Sequence, residues 1–218
     1  MIRILCVVIW SAVFTNNPPP ERAIWLDSFD TPLEESWKNR NDSCAETYHI
    51  KQIEGQSYLS VETNGSDCFI IKPFKLDLVE YPYLNWKWKA NKLPLDGDES
   101  EKSLCDVPAS IAVVISRNRI FPKSIKYTWS TTLEKGTLTK SPYAKWPARC
   151  DIRVLQSGPN DSGDWIHQKV NVLEDFKRFY KKKKVRSKKV RAIVIMTDSD
   201  NTGTPSAADY DDIFFSKE

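Results

Sequence analysis

Asp198, Asp200 and Thr202 recur at alternate positions, and Gly203 follows. This D-x-D-x-[DNST]-G opening supplies hard oxygen ligands and a residue that tolerates the sharp turn of a calcium loop. Counted from Asp198 as position one, the main-chain carbonyl of Thr204 falls at seven, Ser206 at nine and Asp209 at twelve. Those are the remaining ligand positions of a twelve-residue loop. Pro205 and strand-like flanks depart from a helix–loop–helix site. The expected form is therefore a cation-binding loop between strands, with calcium as the candidate ion. The same residues also suit a polar turn in which Asp side chains accept from nearby backbone N–H groups. Asp211 and Asp212 form a second acidic cluster. Strict alternation groups Asp211 with Ile213 and Phe215, and Asp212 with Tyr210 and Phe214. One carboxylate is then at the rim of an apolar face, where it needs a partner.

Aromatic side chains supply the second chemistry. Flat rings stack on sugar C–H faces while polar neighbours bond the hydroxyls. The candidates are Trp86, Trp88, Tyr127, Trp129 and Trp146. Leu84, Trp86, Trp88 and Ala90 share one strand face, so the same alternation also suits a core. Trp146 stands between Lys145 and Pro147 in a loop and is the exposed platform of the set. A glycan hydrolase would need two carboxylates, drawn from Asp198, Asp200, Asp211 or Asp212. No G-x-S-x-G, phosphate loop or dinucleotide fingerprint accompanies them. His49 and His167 have no metal-ligand spacing.

A third chemistry is ionic. Ten Lys and Arg residues and no acid fall between Lys177 and Arg191, while the whole chain is only +3. Lys181, Lys182, Lys183, Lys184, Arg186, Lys188 and Lys189 form a basic patch that suits either a polyanion or a solvated loop. No aromatic residue follows Tyr180 within the tract, so base stacking and nucleic-acid binding are not expected.

The elements that must position these groups read as strands. The 25 aromatics and the 13 Pro against 7 Gly, without long helical periodicity, favour an all-β fold. Leu84–Ala90 alternates cleanly, Ser110–Ser116 is apolar on both faces, and Ala192–Thr197 leads into the acidic loop. Leu173–Tyr180 reads as one short helix. The expectation is a β-sandwich of jelly-roll, galactose-binding-like type over residues 24–218. Residues 1–15 have one basic residue and an apolar run too short to span a bilayer, and read as a signal peptide. Residues 16–23 (NNPPPERA) read as a linker. Export leaves Cys44, Cys68, Cys105 and Cys150, an even count that suggests two disulfides. Cys44–Cys68 and Cys105–Cys150 are the expected pairs, each joining neighbouring strands or loops.

Four segments resemble a bacterial exported family known as domain-of-unknown-function family 3047. They are YPYLNWKWKANKLP (81–94), SIKYTWSTTLEKGT (124–137), DWIHQKVNVLEDFKRFY (164–180) and AIVIMTDSDNTGTPSAADYDDIFF (192–215). The resemblance implies a jelly roll similar to carbohydrate-binding modules. The family tends to carry paired acids before the central strand, where this chain has Cys105-Asp106, and Phe-Gly where it has Phe179-Tyr180. The resulting expectation is an exported module that binds a glycan or another envelope polymer. It has a structural cation at the Asp-rich loop and no transmembrane segment in the mature chain. The alternatives are a glycan hydrolase using paired aspartates and a polyanion-binding surface protein.

Overall fold

The computed structural model describes residues 23–33, 36–40, 42–116, 122–182, 184 and 188–218. The signal peptide, all of the linker except Ala23, and Lys183 and Arg186 of the basic patch lie outside the described residues. The strands are β1 (Ile24–Asp27), β2 (Lys38–Asn39), β3 (Tyr48–Ile53), β4 (Gln56–Asn64), β5 (Phe69–Asp77), β6 (Tyr83–Lys92) and β7 (Ala109–Ser116). They continue as β8 (Pro122–Ser130), β9 (Leu138–Lys140), β10 (Arg149–Ser157), β11 (Ile166–Asn171), β12 (Lys189–Met196) and β13 (Pro205–Ser216). The helix α1 (Val172–Tyr180) follows β11 directly.

Two sheets face each other. The first runs β11-β6-β13-β4-β3, with β1 pairing the end of β13, and the second runs β2-β5-β12-β7-β8-β10-β9. From β4 to β7, and again from β10 to β13, each successive strand changes sheet, the weave of a jelly roll. Alternation drives this. Leu84, Trp86, Trp88 and Ala90 point inward from β6, and Ile125, Tyr127 and Trp129 point inward from β8. Ile111, Val113, Ile193 and Ile195 complete the middle of the core. The expected all-β sandwich with one short helix is the fold observed.

The helix α1 is built where three signals agree. The Asn171 side chain accepts from Glu174 N at 2.9 Å, a standard N-cap. Phe176 and Tyr180 bury one helical stripe. Asp175 accepts from Tyr127 Oη at 3.1 Å and from Arg153 Nη1 at 2.8 Å, which ties the helix to β8 and β10.

Two expectations are corrected. Cys44 and Cys68 form a disulfide, but Cys105 and Cys150 are free thiols. Cys150 is level with Ser124 and Val114, whereas Cys105 lies beyond Ala109, at the other end of β7. Five strand residues span about 16 Å, far past disulfide reach. Burial pushes the Cys105 thiol up to about 11. The alternation read through Asp211–Phe215 also breaks. A register shift between Asp211 and Phe214 accompanies Asp212 at φ 49°. Asp211 keeps the outward phase it shares with Asp209, and the extra residue of the bulge after it returns Ile213 and Phe215 to the core face of Tyr210. Among the described residues, no helix is long and apolar enough to cross a membrane.

Candidate functional site

The acidic loop grows out of β12. Thr197 Oγ1 donates to the Pro108 carbonyl at 2.9 Å, and Asp198 N donates to the Val107 carbonyl at 2.9 Å, so the chain stays tied to the segment before β7 past Met196. The chain then turns. Gly203 closes the turn on the Ser199 carbonyl with φ 66°, a left-handed conformation that glycine adopts without strain. Asp106, from the segment before β7, reaches into this turn. Its carboxylate accepts from Asn201 N at 3.1 Å and from Thr202 N at 2.6 Å. The side chains of Asp106, Asp198 and Asp200 converge, with one carboxylate oxygen from each lying within 4.8 Å of the others.

Asp106 and Asp198 are buried and Asp200 is exposed. Burial pushes the Asp198 carboxyl up to about 8; Lys126 opposes this, and Asp200 and Asp106 reinforce it. Asp198 Oδ1 and Asn201 Oδ1 are buried and accept no hydrogen bond among the described residues. Three carboxylates with spare oxygens, and no imidazole or thiolate among them, fit a hard cation such as calcium rather than zinc or copper. Beside them Glu99 is fully buried. Ser130 Oγ donates to its Oε2 at 2.6 Å, and burial holds its carboxyl above the usual range.

The loop expected from spacing is only partly assembled. Asp198 and Asp200 come together. Thr202 Oγ1 lies 2.9 Å from Thr204 Oγ1, which also accepts from Leu95 N at 2.8 Å. Asp209 is carried off, because the chain is already extended from Pro205 and advances about 3.3 Å per residue, and it pairs with Lys89 at 3.3 Å. Ser206 stays near the turn: its Oγ lies 3.5 Å from the Val107 carbonyl, the group that also accepts from Asp198 N. The third carboxylate is Asp106, which the spacing did not supply. Asp211 and Asp212 flank Lys87 at 3.4 and 2.5 Å, on the outer face of the first sheet and away from the triad.

Four of the five aromatic candidates are core. Trp86, Trp88, Tyr127 and Trp129 are at most 3% exposed; Trp86 and Trp88 pack 5.2 Å apart on β6, and they meet Tyr127 and Trp129 across the two sheets at 6.0 and 5.9 Å. They present no groove because the alternation that aligns them also turns them inward. Trp146 is 88% exposed. Its loop is anchored by Tyr143, whose Oη donates to the Lys102 carbonyl at 3.0 Å and accepts from Asn201 Nδ2 at 2.7 Å. The ring platform and the acidic turn are therefore neighbours.

The basic tract is divided. Lys181 takes the left-handed cap of α1 at φ 50°, and Lys181, Lys182 and Lys184 are exposed. Lys188 lies over the Phe176 ring at 4.4 Å, and Lys189 pairs with Asp77 at 3.1 Å.

Sequence reasoning missed Asp106 and Asn201 as members of this site. The one available signal for Asp106 was its place before the central strand, where the resembled family carries acids. The spacing that reveals Asp198 and Asp200 cannot reach a residue 92 positions away, which only the β7–β12 pairing brings close.

An all-β sandwich with an acidic turn at one edge is the class of protein these features define. The chain belongs to the family described as protein of unknown function DUF3047, whose model matches residues 35–214. No curated relative matches by sequence. Among solved structures, the chain is similar to the xyloglucanase domain of NopAA, a type three effector from Sinorhizobium fredii, in complex with cellobiose. That match is 9% identical with a TM-score of 0.46, covering 84% of this chain and 95% of that one. It is also similar to CBM27-1 of Caldicellulosiruptor saccharolyticus in complex with mannohexaose, at 14% identity and a TM-score of 0.44, covering 90% and 97%. A family 12 xyloglucanase from Bacillus licheniformis matches at 7% identity and a TM-score of 0.45, covering 83% and 99%. At these identities the likeness is one of fold alone.

Proposed function

We propose that this protein is an exported glycan-binding module. Its acidic turn holds a calcium ion, and the neighbouring Trp146 loop contacts the sugar. The observation that carries the reading is the 88% exposure of Trp146 on a loop pinned through Tyr143 to Asn201 of that turn. A large flat ring held in solvent beside fixed polar groups suits stacking on a pyranose. The cation reading is supported by the convergence of Asp106, Asp198 and Asp200 and by the spare oxygen of Asp198. Export is supported by the Cys44–Cys68 disulfide, a bond that persists in oxidising compartments.

The glycan part is tested by screening immobilised glycans with wild type and Trp146→Ala. The expected result is a loss of about tenfold or more in affinity, as for other exposed aromatic anchors. Unchanged binding would remove Trp146 from the site. The cation part is tested by thermal unfolding with calcium and then with excess chelator. At a hundredfold excess over its dissociation constant, calcium should stabilise wild type by about 2.7 kcal/mol. Asp200→Ala and Asp106→Asn should each lose most of this gain. A midpoint indifferent to calcium in wild type would leave the turn held by Asp106 and its N–H donors alone.

A further inference from the structure

The outward face of the first sheet carries a second constellation, well separated from the acidic turn along β13. Register places Lys89, Asp209, Ser60 and His49 in one row across β6, β13, β4 and β3. The adjacent row holds His167, Lys87 and Asp211. Their strand neighbours Trp86, Trp88, Leu59, Ala208 and Tyr210 fill the core, so these polar side chains lie on the opposite face. Side chains on such a face are ordinarily solvated. Yet Asp209, Asp211 and Ser60 are only 4, 2 and 7% exposed.

Part of the enclosure is aromatic. Tyr58 and Trp165 meet edge to face at 5.6 Å, and Lys89 Nζ lies 5.8 and 5.0 Å from their ring centres. The charges are tied down: Lys89 holds Asp209 Oδ2 at 3.3 Å, and Lys87 sits between Asp211 and Asp212. One acceptor is left over. Asp209 Oδ1 is buried and accepts no hydrogen bond among the described residues. A buried carboxylate oxygen calls for a donor.

From this geometry we infer a second ligand-binding surface, centred on Tyr58, Trp165, Lys89 and Asp209, that takes a neutral, hydroxyl-rich chain such as a stretch of uncharged polysaccharide. The rings offer flat apolar contact, Asp209 Oδ1 accepts a hydroxyl proton, and Lys89 and Ser60 supply further polar contacts. The ammonium groups of Lys87 and Lys89 are already paired with Asp209, Asp211 and Asp212, which disfavours a polyanion. The surface does not depend on Trp146 or on a cation.

The test is retardation of the whole protein in native gels containing xyloglucan, mixed-linkage β-glucan, galactomannan or dextran. Wild type should be retarded by at least one of the four, with chelator present. Trp165→Ala and the near-isosteric Asp209→Asn should each weaken that retardation about tenfold or more while remaining folded under the gel conditions. Should Trp165→Ala fail to fold, Asp209→Asn decides alone. Retardation by none of the four would overturn the inference, as would wild-type retardation of Asp209→Asn. Trp146→Ala separates the two surfaces. If it is retarded like wild type while Asp209→Asn is not, this surface stands independently of Trp146, whose own reading is decided by the glycan screen.

Discussion

Asp211 shows how a bulge sets the chemistry of one residue. The extra residue at Asp212 brings a second carboxylate onto Lys87 beside Asp211, which is 2% exposed and accepts at its Oδ2 from Gln56 and Lys87 at 3.0 and 3.4 Å. Burial, and then the charge of Asp212, push its carboxyl up to about 6, against the pull of Lys87. The folded state therefore holds this proton more tightly than the unfolded chain, whose Asp titrates near 4. Between about pH 4 and pH 6 the unfolded chain ionises first, so stability falls as pH rises and levels off above that window. The loss from this group is at most about 3 kcal/mol. Asp211→Asn should remove that slope, and denaturant unfolding at half-unit steps from pH 4 to pH 7 checks it. None of this was legible beforehand. Strict alternation put one of the paired aspartates at the rim of an apolar face, and DYDDIFF carries no marker for the bulge that leaves both on Lys87 instead.

At the scale of elements, α1 is held less by its own propensity than by what it plugs into. Nine residues are too few for a stable isolated helix. Asp175 compensates by accepting from Tyr127 and Arg153, which belong to two different strands. Asp175→Ala leaves a buried hydroxyl and a half-buried guanidinium without their acceptor, and should cost about 3 kcal/mol in urea unfolding. Asn171→Ala removes only the cap and should cost about 1 kcal/mol. The helix itself was readable from LEDFKRFY, as were the strands around Trp86, Val113 and Ile193, because periodicity is a local signal. The start of β13 was not. TGTPSAAD has the composition of a loop, and it is strand because β4 and β6 both pair with it. Tertiary pairing overrode local propensity there, and so drew Asp209 out of the expected loop to Lys89.

For the molecule as a whole, patterning was enough for the sandwich, because apolar alternation at this density can be buried in few ways. Loop position singled out Trp146 as exposed, but patterning could not decide between core and groove for Trp86, Trp88, Tyr127 and Trp129, since a ring at strand period looks alike in both. The Cys44–Cys68 bridge closes a 24-residue separation and links the turn before β3 to the start of β5. Reducing it, or replacing both cysteines with serine, should lower stability by about 3 kcal/mol, read as a shift in the denaturant midpoint.

The position of β13 also has a bearing on how the chain reaches this state. The strand separates β6 from β4 in the first sheet, and β11 and β3 lie outside those two. Until β13 inserts, that sheet exists as two disconnected pairs, each with a bare inner edge. Closing it brings Asp211 beside Lys87, across more than half of the sequence. Loop closure of that length comes before the contacts that offset it, which places this chain among slow folders. A nascent chain shorter than residue 205 would display both bare edges side by side, and unpaired edges are templates for aggregation. Chaperone protection during synthesis would matter most in the interval before that one strand arrives.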